Sequence, residues 1–206
     1  GKMRRIFQSP GPIYDVDGHG EDWWGTARAL YAAGIRAGDI LHNALSYHLT
    51  PAGLMMETGA EAIGCAVVPA GVGNTELQAQ AIEDIGCTAY VGTPSFLNIV
   101  LEKSEELNID VSTLTKACVG AEPLPSALRQ KIESHGVNCQ QFYGSADLGN
   151  LAYESPAREG LIVDEGLLVE IVQPGTDDPL AEGIVGEVVA TCFRNEYPLI
   201  RFGTGD

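Results

Sequence analysis

Apolar positions along this chain recur in two alternating periods. Short, nearly continuous apolar runs (DILHNAL, CAVVPAG, TAYVG, KACVGAE and NCQQFYG) have the length of buried strands. Between them, apolar residues fall three and four apart. DWWGTARALYAAGI places Trp23, Ala27, Leu30 and Tyr31 at helical spacing, and PAGLMMETGAEAIG, SFLNIVLEKSEEL and PSALRQKIESHG also read as helices. Start and stop signals agree. Thr50-Pro51 and Thr93-Pro94 each set a capping threonine before a proline suited to the first turn. Thr75-Glu76-Leu77-Gln78 has capping-box spacing, with the helix running to Gly86, and Gly64 ends the helix that follows Pro51. RRIFQS reads as a strand and PGPIYDVDGHGE as a Pro/Gly-rich loop.

Strands alternating with helices predict an α/β fold: a mainly parallel sheet with flanking helices, built from βαβ units. The pattern changes after about residue 148. LLVEIVQ and GIVGEVVATCF read as strands joined by the turn-rich PGTDDPLAEG, without a helix, as in a hairpin of a small β-rich subdomain. The expected division is an α/β subdomain over 1–147 and a β-rich subdomain over 148–206. The last residues, RFGTGD, read as a turn with no closing element, so a fragment of a longer protein is expected.

Composition narrows the function. A formal net charge of −16 argues against nucleic acid or anionic membrane as partner, because the sole basic cluster is Lys2, Arg4 and Arg5. An anionic ligand would then be held by backbone amides and helix N-termini. The five cysteines form no CxxC pair and lie mostly in apolar runs, as free buried thiols of a reducing, cytoplasmic setting do. The four histidines show no metal-ligand spacing, and no apolar run reaches membrane-spanning length.

Three polar loops follow predicted strands, where open α/β sheets bind ligands: Thr93-Pro94-Ser95, Gly120-Ala121-Glu122-Pro123 and Tyr143-Gly144-Ser145-Ala146-Asp147. Small residues there allow a flat ligand close to the backbone. Tyr143 can stack on an aromatic ring, and Asp147 and Asp206 can accept hydroxyl protons or hold a hard cation. Each has a plainer reading. Glu122 can cap the helix after it, His48 can be a polar residue at a helix entry, and Asp206 can be a solvated turn residue. Met55 and Met56 read as core filling, and Trp23 and Trp24 as packing.

The order GAEP, YGSAD, hairpin, PLIRFGTGD resembles the adenylate-forming acyl-CoA synthetase superfamily, and within it the phenylacetate-CoA ligase family. NALSYHLTPAGLMMETGAEAIGCAVVPAGVGNTE is similar to that family's acyl-pocket helix and following strand. The resemblance implies that Gly120, Ala121, Glu122 and Pro123 line the adenine and acyl cleft. It implies that Tyr143 stacks on adenine beside Gly144 and Ser145, that Asp147 replaces a magnesium-holding glutamate, and that Asp206 binds the ribose. Tyr47, His48 and Gly53 fall where the carboxylic acid lies. The implied substrates are an aromatic acid, ATP with Mg2+, and coenzyme A. A homodimer is a further implication. So is a parent with an N-terminal region and a C-terminal domain carrying the catalytic lysine, leaving no catalytic residue in this chain and the chain alone inactive.

The sequence also departs from the family. Where a Ser/Thr/Gly-rich phosphate loop ending in lysine belongs, Phe7 to Asp15 offers two prolines, no lysine and an acid. Ala146 lacks the hydroxyl of the family's YG-x-T-E pattern, and Asp147 is one methylene shorter than glutamate. An alternative is therefore a divergent, non-catalytic homologue that binds a nucleotide or small carboxylate without adenylating it.

Overall fold

In chain order the elements are β1 (Arg5–Ser9), β2 (Ile13–Asp17), α1 (Thr26–Ala32), β3 (Ile40–Asn43), α2 (Ala52–Ile63), β4 (Ala66–Pro69), α3 (Thr75–Ile85), β5 (Ala89–Gly92) and α4 (Pro94–Leu107). They continue with β6 (Lys116–Val119), α5 (Ser126–Ser134), β7 (Asn138–Ser145), β8 (Gly149–Glu154), β9 (Leu161–Val163), β10 (Leu167–Val172), β11 (Glu187–Cys192) and β12 (Leu199–Gly203). This computed structural model describes residues 3–9, 11 and 13–206. Lys2 of the basic cluster and Pro10 and Pro12 of the altered phosphate loop lie outside the described residues.

Seven strands form one sheet in the order β4-β3-β5-β6-β7-β8-β9. The first five run parallel; β8 and β9 add antiparallel at one edge. Side-chain alternation feeds two cores. From β5, Tyr90 packs with Ile82, Leu97, Leu101 and Ile132 of α3, α4 and α5. Its neighbours Ala89 and Val91 pack with Leu30, Met56 and Ala60 of α1 and α2 on the other face. Every residue of β5 is buried, so its run carries no period-two signal. A third core joins Leu148 and Leu151 to Ala190 and Cys192, seating the separate sheet β10-β11-β12. Hence 149–163 belongs to the large sheet by hydrogen bonding, and the small sheet begins at Leu167.

Two helices meet closely behind the site. A Cβ at Gly59 of α2 would lie 2.2 Å from Thr26 Oγ1 and 2.7 Å from the Ala27 nitrogen of α1. The Thr26 hydroxyl donates to the Met55 carbonyl at 2.7 Å, locking that crossing. All five cysteines are free thiols, four of them buried. Burial pushes the Cys87 thiol up to about 11 and Cys139 up to about 12, so both are protonated structural groups at neutral pH. Among the described residues, no helix is long and apolar enough to cross a membrane.

Several local expectations are corrected. PGPIYDVDGHGE is not all loop: β2 pairs antiparallel with β1, Gln8 opposite Tyr14 and Phe7 opposite Asp15. Its pattern is inverted, with Asp15 and Asp17 buried and Ile13 and Tyr14 exposed. Asp17 is neutralised by Arg5 at 2.7 Å. Thr50 does not cap α2; Pro51 occupies that position, and the Thr50 hydroxyl contacts the Ser46 carbonyl at 3.5 Å. The capping box at Thr75 does not form either, because left-handed Asn74 takes the cap position. The Gln78 side chain instead donates to the Gly71 and Gly73 carbonyls and meets buried His42 at 2.7 Å. Thr93 does cap α4, accepting from the Phe96 amide with Pro94 in the first turn. RFGTGD is partly strand, since β12 pairs with β11 through Gly203.

Candidate active site

Beyond the carboxyl ends of β3, β5, β6 and β7 the chain forms the loops 44–51, 93–95 and 120–125 and the stretch 143–147. The β1–β2 hairpin closes over them, with the Gln8 amide donating to the Leu49 carbonyl at 3.0 Å. A cavity of about 350 Å³ lies among residues of the hairpin, the 44–51 and 120–125 loops, α2 and the end of β7. One wall is the face of α2 made by Ala52, Met55 and Met56, at i, i+3 and i+4. Phe142, Leu45 and Ala121 also line it, with Ser9, Gly144, Ser145 and Ala146.

Gly120 makes room for the Phe142 ring of that lining. A Cβ there would lie 2.5–2.8 Å from the Phe142 ring, so only glycine lets that ring lie flat against the loop. Ala121 follows with φ of 63°, an unusual left-handed conformation for alanine, and lies on the cavity wall. Glu122 does cap a helix, but not the one after it. Its Oε1 accepts from the Ser95 amide at 2.6 Å, tying the 120–125 loop to the first turn of α4. Pro123 is exposed beside it.

Tyr143 and Asp206, 63 positions apart, meet directly. The Tyr143 hydroxyl donates to Asp206 Oδ2 at 2.6 Å. Burial, reinforced by that carboxylate, raises the Tyr143 hydroxyl above the ordinary phenol range. The backbone between Tyr143 and Gly144 is a bulge against β8, which re-aims the strand end. Ser145 Oγ accepts from the Leu148 amide at 3.1 Å.

Three residues expected at the acyl position do not line the cavity. Gly53 is covered by the Tyr47 ring, whose carbons lie 2.7–2.8 Å from where a Cβ would stand. The Tyr47 hydroxyl accepts from Asn43 Nδ2 at 2.8 Å, and burial with nearby Glu57 raises its pKa. His48 is exposed. Sequence reasoning passed over Phe142, Leu45, Ala52 and Ser9. The signal was present for α2, where Ala52 stands three and four positions before Met55 and Met56, on one side of the helix.

Among the described residues, no three histidine, cysteine or acidic side chains are placed to hold a metal ion together. At Asp147 there is instead a pair. Asp15 of β2 comes within hydrogen-bonding reach of it, and burial, then Asp15, raises the Asp147 carboxyl above the usual range.

A model of the AMP-binding enzyme family matches residues 23–191. The chain belongs to that family. It is 36% identical over 195 residues to phenylacetate-coenzyme A ligase of Aromatoleum evansii, covering 90% of this chain and 44% of that relative. It is 38% identical over 190 residues to phenylacetate-coenzyme A ligase of Thermus thermophilus, covering 87% of this chain and 42% of that relative. The chain thus spans less than half the length of these relatives. Its fold matches 2-hydroxyisobutyryl-CoA ligase in complex with 2-HIB-AMP and CoA, with TM-score 0.88 at 20% identity over 99% of this chain and 51% of that one. It also matches an anthranilate CoA ligase in complex with anthranoyl-AMP, with TM-score 0.73 at 18% identity over 94% and 39%.

Proposed function

We propose that this chain is the nucleotide- and acyl-binding part of an AMP-forming acid-CoA ligase whose substrate is an aromatic, phenylacetate-like carboxylic acid. The observation that carries the reading is adjacency. Gly144, Ser145 and Ala146 line the apolar 350 Å³ cavity and follow in the chain directly on Tyr143, which bonds to Asp206. An acid whose ring lies on Phe142, Met55 and Met56 would hold its carboxylate at Gly144 to Ala146. Adenine would stack on Tyr143, beside Gly120 to Pro123, and Asp206 would exchange the Tyr143 hydroxyl for the ribose hydroxyls. The carboxylate then attacks the α-phosphate of ATP, giving acyl-adenylate and pyrophosphate, and the thiolate of coenzyme A displaces AMP.

Magnesium fits the residues present. Asp147 offers a carboxylate next in the chain to Ala146 of the cavity lining, and the neighbouring Asp15 has a buried oxygen, Oδ1, without a donor. Mg2+ is commonly held by one or two carboxylates plus substrate phosphates, and it would neutralise phosphate charge here.

A second reading, a homologue that binds the ligands without adenylation, is favoured by the β1–β2 hairpin. No lysine stands between Phe7 and Asp15, and the Ser9 hydroxyl is already given to the Asp15 carboxylate. Acid-dependent ATP–pyrophosphate exchange with Mg2+ by the full-length parent that carries this chain separates the two. Exchange stimulated by phenylacetate and related aryl acids is expected. A folded protein that exchanges with none of a panel of aryl and short fatty acids is the binding protein instead.

A further inference from the structure

Ala121 stands strained between two anchors. It holds a φ of 63°, where an alanine Cβ crowds the following carbonyl, and it lines the cavity. One residue earlier, the Gly120 amide donates to the Gly92 carbonyl at 3.1 Å. One residue later, Glu122 Oε1 accepts from the Ser95 amide at 2.6 Å. Both anchors lie where β5 passes into α4, so the strained residue is pinned from each side to the same short segment. The second anchor also completes α4. A helix leaves its first amides without intrahelical partners. Pro94 has no amide hydrogen, and Thr93 serves two of the others. Its hydroxyl accepts from the Phe96 amide at 3.3 Å and its carbonyl from the Leu97 amide at 3.1 Å. The Ser95 amide between them is left to Glu122, which reaches it from the other loop.

We propose that Glu122 is a positioning residue for the acid. Its side chain is committed to α4 and not to the ligand: it caps that helix from the neighbouring loop and thereby holds Ala121 left-handed against the cavity. Without the cap, α4 keeps Thr93, but the loop is free to relax at Ala121 toward the right-handed region that alanine favours. The wall is then in place in only a fraction of molecules, and the acid binds more weakly by that fraction. The role toward the acid rests on the ligase reading; the clamp between the two loops rests on the contacts themselves.

The test uses the full-length parent that carries this chain, with Glu122→Ala, Glu122→Gln and the double variant Ala121→Gly with Glu122→Ala, each checked for an unchanged circular dichroism spectrum. Hydrogen exchange at the Ser95 amide, followed by mass spectrometry without ligands, should speed up about fivefold or more in Glu122→Ala. It should stay near wild type in Glu122→Gln, whose amide oxygen still accepts. In acid-dependent pyrophosphate exchange, Glu122→Ala should raise the KM for phenylacetate about tenfold with kcat changed less than about threefold. Glu122→Gln should stay within about threefold of wild type. Adding Ala121→Gly to Glu122→Ala should bring the KM back to within about threefold, because glycine adopts a positive φ without strain. A KM raised as much by Glu122→Gln as by Glu122→Ala, with the Ser95 amide still protected, would mean that the carboxylate meets the ligand and overturns the proposal. So would a Ser95 amide indifferent to Glu122→Ala, or a KM that Ala121→Gly does not recover. A wild-type parent without exchange would refute the ligase reading alone, and the Ser95 amide would still decide the clamp.

Discussion

Replacing Glu154 with alanine should lower unfolding stability by about 3–5 kcal/mol, the largest single-residue loss expected in this fold. Glu154, on β8, takes both prongs of the Arg129 guanidinium of α5 at 2.7 and 2.9 Å. The two side chains are 5% and 14% exposed, so the pair is screened little by water. Arg129 also donates to the Cys139 carbonyl of β7, and Glu154 accepts from the Gln141 amide. The pair thus pins α5 and β8 to the strand that carries Tyr143. Alanine leaves a charged guanidinium under β8 with one carbonyl for company, and that stranded charge, more than the lost attraction, produces the destabilisation. Urea unfolding of the wild type and the variant measures it from the midpoints. Removing both charges, as in Arg129→Met with Glu154→Leu, should recover most of the loss. A loss under about 1 kcal/mol for Glu154→Ala would place the pair energetically at the surface.

Ala52→Phe should lower kcat/KM for phenylacetate about 100-fold in the exchange reaction while changing the KM for ATP less than about threefold. Ala52 lies at the cavity wall one turn before Met55 and Met56. A phenyl ring added there occupies space the substrate ring needs, and the wall behind it is packed core that yields only at a cost of roughly 1–3 kcal/mol. Acetate, which leaves that space empty, should lose far less. The contrast between the two acids is the diagnostic. An equal fall for both would mean that the substitution disturbs the loop at 44–51, and that the acid lies elsewhere.

What the sequence could convey was set by the distance over which each feature is determined. The five parallel strands and their helices follow from local apolar period, and the glycines at 64 and 86 end α2 and α3 in left-handed caps as read. β2 was hidden because its buried positions are acids: Asp15 and Asp17 point inward only because Ser9 and Arg5 on the paired strand receive them. The cap expected at Thr50 falls instead at Pro51, and the one expected at Thr75 at left-handed Asn74. Glu122 was legible as a cap, but the helix it serves is reached through space, across the loop to Ser95. The nucleotide-side residues came from motif order, and the structure places Tyr143 and Asp206 in contact. The cavity residues were harder. Phe142 is exposed to the site only because Gly120, on a neighbouring strand end, makes room for its ring, a relation absent from either stretch alone.

The most direct measurement is calorimetric titration of the protein with a non-hydrolysable phenylacetyl-adenylate analogue, a sulfamoyl adenosine, beside AMP. The account predicts one site per chain and binding about tenfold or more tighter than AMP, the gain from burying a phenyl ring in the 350 Å³ cavity. An analogue that binds no tighter than AMP, or does not bind a folded protein at all, would contradict the assignment of that cavity to the acid.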